Sequence, residues 1–227
     1  EFCLKNNIAL VEDSAQGIGA FNNKKHSGNW GIGGCLSFYP AKVIGSLGDG
    51  GAIITNNDNL NAFARSVRDH GRGPGLEAIN WGRNTRLDAL NARIVLERLE
   101  NINTLITKRR KLASIYDQIL MPLERSSLLK LPPKFSTNSS SISTYQNYEI
   151  QVDRRDELMQ FLKLNRIGTI KQWGGFSIAH FKELGYSIDE YPSIKNLFKR
   201  LLLLPLNHMM SEKEVEKVSN KILEFFN

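Results

Sequence analysis

Cysteine is nearly missing from this chain. Only Cys3 and Cys35 occur, at a spacing that supports neither a disulfide framework nor a zinc site, and no metal centre is expected. Long apolar runs are also missing. The longest, near Leu201 to Leu206, falls far short of the roughly 18 residues a membrane span needs and contains Pro205. No secretory pattern opens the sequence, so the expectation is a cytoplasmic protein with no membrane partner. Strong clustering of charge is lacking too. The formal charge is +7, but the densest basic run, Lys108-Arg109-Arg110-Lys111, sits in a helical pattern without interleaved aromatics. It reads as a solvated helix face, not as a nucleic-acid groove.

What is present is an ordinary globular composition, 41% hydrophobic, enough for a sizeable core. The sequence starts at Glu1, with Phe2 to Asn7 reading as a helix end, and is expected to be a piece of a longer protein. Ile8 to Val11 is a short continuous apolar run, as in a strand buried on both faces. Asn22 to Asn29 reads as a turn-rich excursion. Gly34 to Tyr39 and Ala52 to Thr55 are further strands, the first stopped by Pro40. Asp58 is placed to cap a helix bearing Leu60, Phe63, Ala64 and Val67.

From near Asp88 a helical stripe through Leu90, Ile94, Leu99, Ile102, Ile106, Leu112 and Tyr116 exceeds 25 residues and predicts one long helix bridging two substructures. Pro132-Pro133 and the Ser-rich residues 136–143 read as a loop or linker. Tyr145 to Val152 alternates like an edge or meander strand, Asp156 to Leu164 is helical, and Gly168 to Ile170 is strand-like. Ser211-Glu212-Lys213-Glu214 opens a last helix with a capping box. The expected fold is α/β: part of a mainly parallel-sheet large domain over 1–95, then the bridging helix and a smaller α+β domain over 96–227.

Ligands of open α/β sheets bind outside the carboxyl ends of the strands. Asp13 lies past one such end, and Ser37 and Lys42 lie at and beyond another. An acid, a hydroxyl and an amine at one crevice suit pyridoxal phosphate. That cofactor needs a carboxylate beside its ring nitrogen, donors for its phosphate and a lysine to form a Schiff base with its aldehyde. Each residue alone has a plainer reading: a surface lysine, a turn aspartate, a strand serine.

The order of the segments adds to this. Val11-Glu12-Asp13-Ser14-Ala15-Gln16, Ser37-Phe38-Tyr39-Pro40-Ala41-Lys42, Gly48-Asp49-Gly50-Gly51-Ala52, Gly82-Arg83-Asn84-Thr85-Arg86-Leu87-Asp88 and Leu204-Pro205-Leu206-Asn207 follow in sequence. Together they resemble the DegT–StrS nucleotide-sugar aminotransferases, fold-type I enzymes dependent on pyridoxal phosphate, over essentially the whole chain. The resemblance implies Lys42 as Schiff-base lysine and proton shuttle, Asp13 at the ring nitrogen, Gln16 near the ring hydroxyl, Ser37 at the phosphate, and Asn84 reaching the phosphate in the neighbouring subunit of a homodimer with shared sites. Arg86 belongs to the same motif, but a salt bridge for it and a helix cap for Asp88 are equally open. His26, Trp173 and His180 are candidates to face the sugar nucleotide, with packing or a surface loop as the alternative for each.

The implied reaction moves an amino group from an amino acid, usually glutamate, to a keto sugar linked to a nucleoside diphosphate. Gly48-Asp49-Gly50-Gly51 resembles the enzymes acting at C3 more than those acting at C4. Lys42 argues against the related sugar dehydratases, which carry His there. Two departures stand out. Asn91-Ala92-Arg93 replaces the usual Gln-Ala-Ala, and the part of the large domain that normally precedes Ile8 is missing, which leaves an inactive or incomplete partner subunit as the alternative.

Overall fold

The computed structural model describes residues 1–134 and 140–227. In chain order the elements are α1 (Phe2–Lys5), β1 (Val11–Asp13), β2 (Phe21–Asn22), β3 (Lys25–His26), β4 (Gly33–Ser37), β5 (Gly51–Ile54), α2 (Asp58–Arg68), α3 (Ala89–Glu100), α4 (Ile102–Arg125), β6 (Leu129–Lys130), β7 (Ser141–Ile142), β8 (Tyr148–Val152), α5 (Arg155–Leu164), α6 (Pro192–Arg200), β9 (Leu201–Leu204) and α7 (Glu212–Phe226), with short 3-10 turns between α5 and α6. They form two compact units: Glu1–Ile106 with Phe135–Gln146, and Thr107–Lys134 with Asn147–Asn227. Of the Ser-rich stretch, residues 136–139 lie outside the described residues, and Ser141 and Ile142 form β7.

In the first unit, β1 runs parallel to β4, and β5 returns antiparallel on the other side of β4. Ile18, Phe38, Val43, Ile44, Val95 and Ile106 form its core, with Leu36, Ala52, Leu87 and Ile102 against them. The run at Ile8 departs from expectation. Only Val11 of it is strand, and Ile8, Leu10 and Val11 are exposed; among the described residues β1 has a strand neighbour on one edge only. Asn57, not Asp58, caps α2, its side chain accepting from the Leu60 N–H at 2.9 Å. Phe63 is exposed on that helix.

The single bridging helix is instead two. Asn101 leaves helical geometry between α3 and α4 (φ −101°, ψ 9°), and its side-chain amide donates to the Glu97 carbonyl at 3.0 Å. Asparagine offers the backbone this competing partner, so it ends helices well. The stripe is buried from Ile106 onward, through Leu112 and Tyr116, while Leu90 before the break is 80% exposed.

In the second unit β8 is the central strand between β6 and β9, all antiparallel, not an edge. Tyr148, Ile150 and Val152 are buried and the residues between them less so, the period of two that the sequence shows. All four leucines of β9 are buried, and Ile170, the strand-like residue, pairs with Leu203. Pro205 then ends the strand. Its carbonyl accepts from the Tyr116 hydroxyl at 2.8 Å, and the Leu206 carbonyl accepts from Arg109 at 3.1 Å. Arg109 is therefore buried, not part of a solvated face, and burial pushes its guanidinium down to about 10. Among the described residues no helix is long and apolar enough to cross a membrane.

Candidate active site

The register decides which side chains meet. Val11 pairs with Gly33 and Asp13 with Cys35. Because β1 and β4 are parallel, their carboxyl ends lie on one edge of the sheet, Asp13 closing one strand and Ser37 the next. Two N–H groups settle on these residues: Ala15 donates to Asp13 Oδ1 at 3.0 Å and Tyr39 to Ser37 Oγ at 3.3 Å.

Lys42 lies in the loop leaving β4. Pro40 holds the second place of a turn closed by the Lys42 N–H on the Tyr39 carbonyl at 2.8 Å, the position its fixed φ favours. Directly after the lysine, Val43 and Ile44 enter the core, at 2% and 0% exposure. The loop then folds back. The Ser46 N–H and hydroxyl both donate to the Phe38 carbonyl, at 2.7 and 2.8 Å, and a side chain on Gly45 would sit 2.3 Å from the Pro40 carbonyl oxygen. Lys42 itself is partly buried, held where buried neighbours anchor the chain.

Several residues missed in sequence hold this loop. The Gln146 side chain accepts from the Val43 N–H and donates to the Ala41 carbonyl, both at 2.9 Å. Asn91, the departure from the usual glutamine, accepts from the Leu47 N–H at 3.1 Å, and Arg98 donates to the Gly45 carbonyl. These partners lie 44 to 105 residues away in sequence, so no local pattern announces them. Glu12 did have a signal, a second acid beside Asp13. Its carboxylate gathers the N–H groups of Gly28 at 2.8 Å, Gly31 at 3.1 Å and Trp30. Burial pushes its pKa up, but these three amides and the charge of Lys25 outweigh that and leave it below the ordinary value.

The other sequence candidates sit as follows. Gln16 is exposed in the turn after β1. Asn84 is exposed and bridges Asp69 through its backbone, and its side-chain oxygen accepts from Arg86 Nε at 3.2 Å. Arg86 also pairs with Asp69 at 3.1 Å, and Asp88 caps α3 through the Asn91 N–H at 2.9 Å, so both structural readings of those two residues are realised. His26 accepts the Gly19 N–H on Nε2 at 2.8 Å, which fixes its tautomer when neutral. In the second unit Trp173 is 71% exposed in a left-handed conformation (φ 52°), and His180 Nδ1 meets the Ser177 N–H and hydroxyl at 3.0 and 2.9 Å. Arg93 makes an exposed pair with Glu97 at 3.1 Å. Among the described residues no cluster of His, Cys, Asp and Glu is placed to hold a metal.

The donor set therefore fits the cofactor inferred from sequence: a carboxylate and a hydroxyl on one strand edge, and a lysine in the anchored loop that follows. A profile described as the DegT/DnrJ/EryC1/StrS aminotransferase family matches residues 1–223. The chain is 33% identical over 226 residues to a "Pleiotropic regulatory protein" of Geobacillus stearothermophilus, covering 98% of this chain and 59% of that protein. It is 36% identical over 165 residues to the "UDP-2-acetamido-2-deoxy-3-oxo-D-glucuronate aminotransferase" of Pseudomonas aeruginosa, covering 73% of this chain and 44% of that one. A crystal structure of a DegT DnrJ EryC1 StrS aminotransferase from Brucella abortus superimposes with a TM-score of 0.85 at 29% identity, over 99% of this chain and 59% of that chain. The chain thus spans at most about three-fifths of these relatives, and on the profile match and the shared fold it belongs to the DegT/DnrJ/EryC1/StrS aminotransferase family.

Proposed function

We propose that this chain carries the lysine side of a pyridoxal-phosphate site in an aminotransferase acting on a nucleoside-diphosphate-linked keto sugar, with glutamate as amino donor. The observation that carries the reading is the parallel β1–β4 register, which brings Asp13 and Ser37 to one edge with Lys42 in the loop that follows. When bound, the cofactor supplies an aldehyde and a sink for the electron pair released when a carbon–hydrogen bond at the substrate breaks.

The side chains supply the rest. Lys42 Nζ, once unprotonated, would hold the aldehyde carbon with loss of water, and when displaced by the substrate amine would take and return the proton at the substrate carbon. The Asp13 carboxylate would keep a proton on the ring nitrogen by charge attraction. Ser37 would donate to the phosphate, Gln16 would face the ring hydroxyl side, and Asn84, exposed on its loop, would reach the phosphate held by a second copy in a homodimer. In this reading residues 1–95 belong to the cofactor-binding domain and residues 96–227 to the bridging helix and smaller C-terminal domain. His26, Trp173 and His180 are assigned to the sugar-nucleotide side. Amination at C3 is favoured by Gly48-Asp49-Gly50-Gly51 and by the Pseudomonas relative, whose name specifies a 3-oxo sugar.

The test is direct. Pyridoxal phosphate is added to the purified chain, the spectrum is recorded, and borohydride is added before peptide mapping. A band near about 410–430 nm that borohydride removes, with the label on Lys42, is the expected result for a protein-bound Schiff base. Lys42→Ala should lose both. Absence of the band would favour the second reading, an incomplete subunit that works only beside a partner chain. A label on another lysine would overturn the assignment of Lys42.

A further inference from the structure

Lys42 is held from two sides. On one side the chain after it is drawn into the core by Val43 and Ile44. On the other stands Gln146, the last residue of the first unit. Its Nε2 donates to the carbonyl of Ala41, the residue before the lysine, and its Oε1 accepts from the N–H of Val43, the residue after it. A carboxamide sets an NH2 donor beside a carbonyl acceptor, so it pairs with these two groups as a neighbouring strand's peptide would. Among the described residues no strand does this for the loop: β4 ends at Ser37 and β5 begins at Gly51. The chain reaches Gln146 through Tyr145, buried and left-handed at φ 48°, a conformation uncommon for an aromatic residue. Such strain persists where the surroundings enforce it.

We propose that Gln146 is the positioning residue of Lys42. Its carboxamide fixes the two peptide groups that flank the lysine and so restricts the directions in which the amine is presented. The inference rests on the reading of Lys42 as the cofactor-bonding lysine, but its structural half can be measured without cofactor. Glutamate at 146 would keep the acceptor for Val43, lose the donor for Ala41 and add a negative charge beside the lysine. Leucine would remove both bonds at similar volume.

The experiment compares the full wild-type chain with Gln146→Leu and Gln146→Glu by two cofactor-free readouts. One is hydrogen exchange at the Val43 amide. The other is the pH profile of acetylation by trace acetic anhydride, with Lys163 and Lys213, exposed in the second unit, as internal references. In Gln146→Leu, Val43 should exchange about three- to tenfold faster, the expectation for one lost net hydrogen bond, and the Lys42 profile should change while those of Lys163 and Lys213 do not. In Gln146→Glu the Lys42 midpoint should rise, because the added carboxylate favours the ammonium form. If Gln146→Leu fails to fold, Gln146→Glu decides.

Unchanged exchange at Val43 in Gln146→Leu, or an unchanged Lys42 midpoint in Gln146→Glu, would overturn the proposal. So would faster exchange with an unchanged Lys42 profile, since that is what a purely structural clamp gives. A third arm, the rate at which borohydride traps pyridoxal phosphate on Lys42, should fall in Gln146→Leu. If wild type traps none while both cofactor-free readouts respond, positioning of Lys42 stands and the reading of this chain as a cofactor site by itself gives way to the incomplete subunit.

Discussion

Glutamine in place of Glu12 tests how the strand register at the site is maintained. The Glu12 carboxylate collects three backbone N–H groups from residues 28–31, the segment that leads into β4. That segment is pressed against the chain before β1: Ile32 donates to the Leu10 carbonyl at 2.9 Å, and a side chain on Gly31 would lie 1.9 Å from the same oxygen. Glutamine can aim its one oxygen at the Trp30 and Gly31 amides, but its NH2 then faces the Gly28 N–H. One charge-assisted bond is lost and two become neutral. Bonds to a charged group are each worth about 1.5–3 kcal/mol net, and Glu12 is only partly buried, so the expected cost is about 2 kcal/mol. For a chain of this size that is a fall in Tm of about 4–8 °C.

The effect has a defined pH dependence. The folded pKa of Glu12 lies below its ordinary value, so its contribution is present at pH values above the unfolded pKa and is lost as the pH falls through the folded one. Urea unfolding of wild type and Glu12→Gln at pH 7 and near pH 3 should show a gap that narrows in acid. A gap below about 0.5 kcal/mol at pH 7, or one that is the same at both pH values, would refute the reasoning. The variant should also capture pyridoxal phosphate on Lys42 less well, because Asp13 follows Glu12 directly on β1.

Other outcomes follow from the second unit. Asp117 accepts from the Tyr148 hydroxyl at 2.6 Å. Burial pushes its pKa up, further than the Tyr148 bond and the Lys134 charge pull it down. A carboxyl with a raised folded pKa is relieved by protonation, so wild type should gain stability relative to Asp117→Asn as the pH falls from 7 toward 4, measured by urea unfolding; a gap independent of pH would count against the burial argument. Ser211 and Glu214 form the capping box of α7, with Glu214 accepting from the Ser211 N–H at 2.7 Å and its hydroxyl at 2.9 Å. Ser211→Ala should cost about 1 kcal/mol in the same assay, with no change in Lys42 labelling by pyridoxal phosphate.

Sequence reading was strongest where a signal is local. The capping box at Ser211 lies within four residues, β8 shows its period of two, and the helix from Asp156 begins within one residue of where α5 does. It was weaker where the outcome depends on neighbours. The stripe from Leu90 to Tyr116 looked continuous because apolar spacing alone does not register the break at Asn101. Arg109 looked solvated because its partner, the Leu206 carbonyl, lies 97 residues away.

By itself the sequence determined the chemistry available: the order Asp13, Ser37, Lys42 and Asn84, the turn residue Pro40 and the glycines around the lysine loop, all read from residue type and short spacing. Only the tertiary structure decided which of these groups share an edge and what holds them there. Parallel pairing of β1 with β4 brings Asp13 and Ser37 together, Glu12 secures the segment between those strands, and Gln146 brackets Lys42. Those are contacts between residues distant along the chain. They form only when the chain folds and buries its core, and local preference carries no record of them.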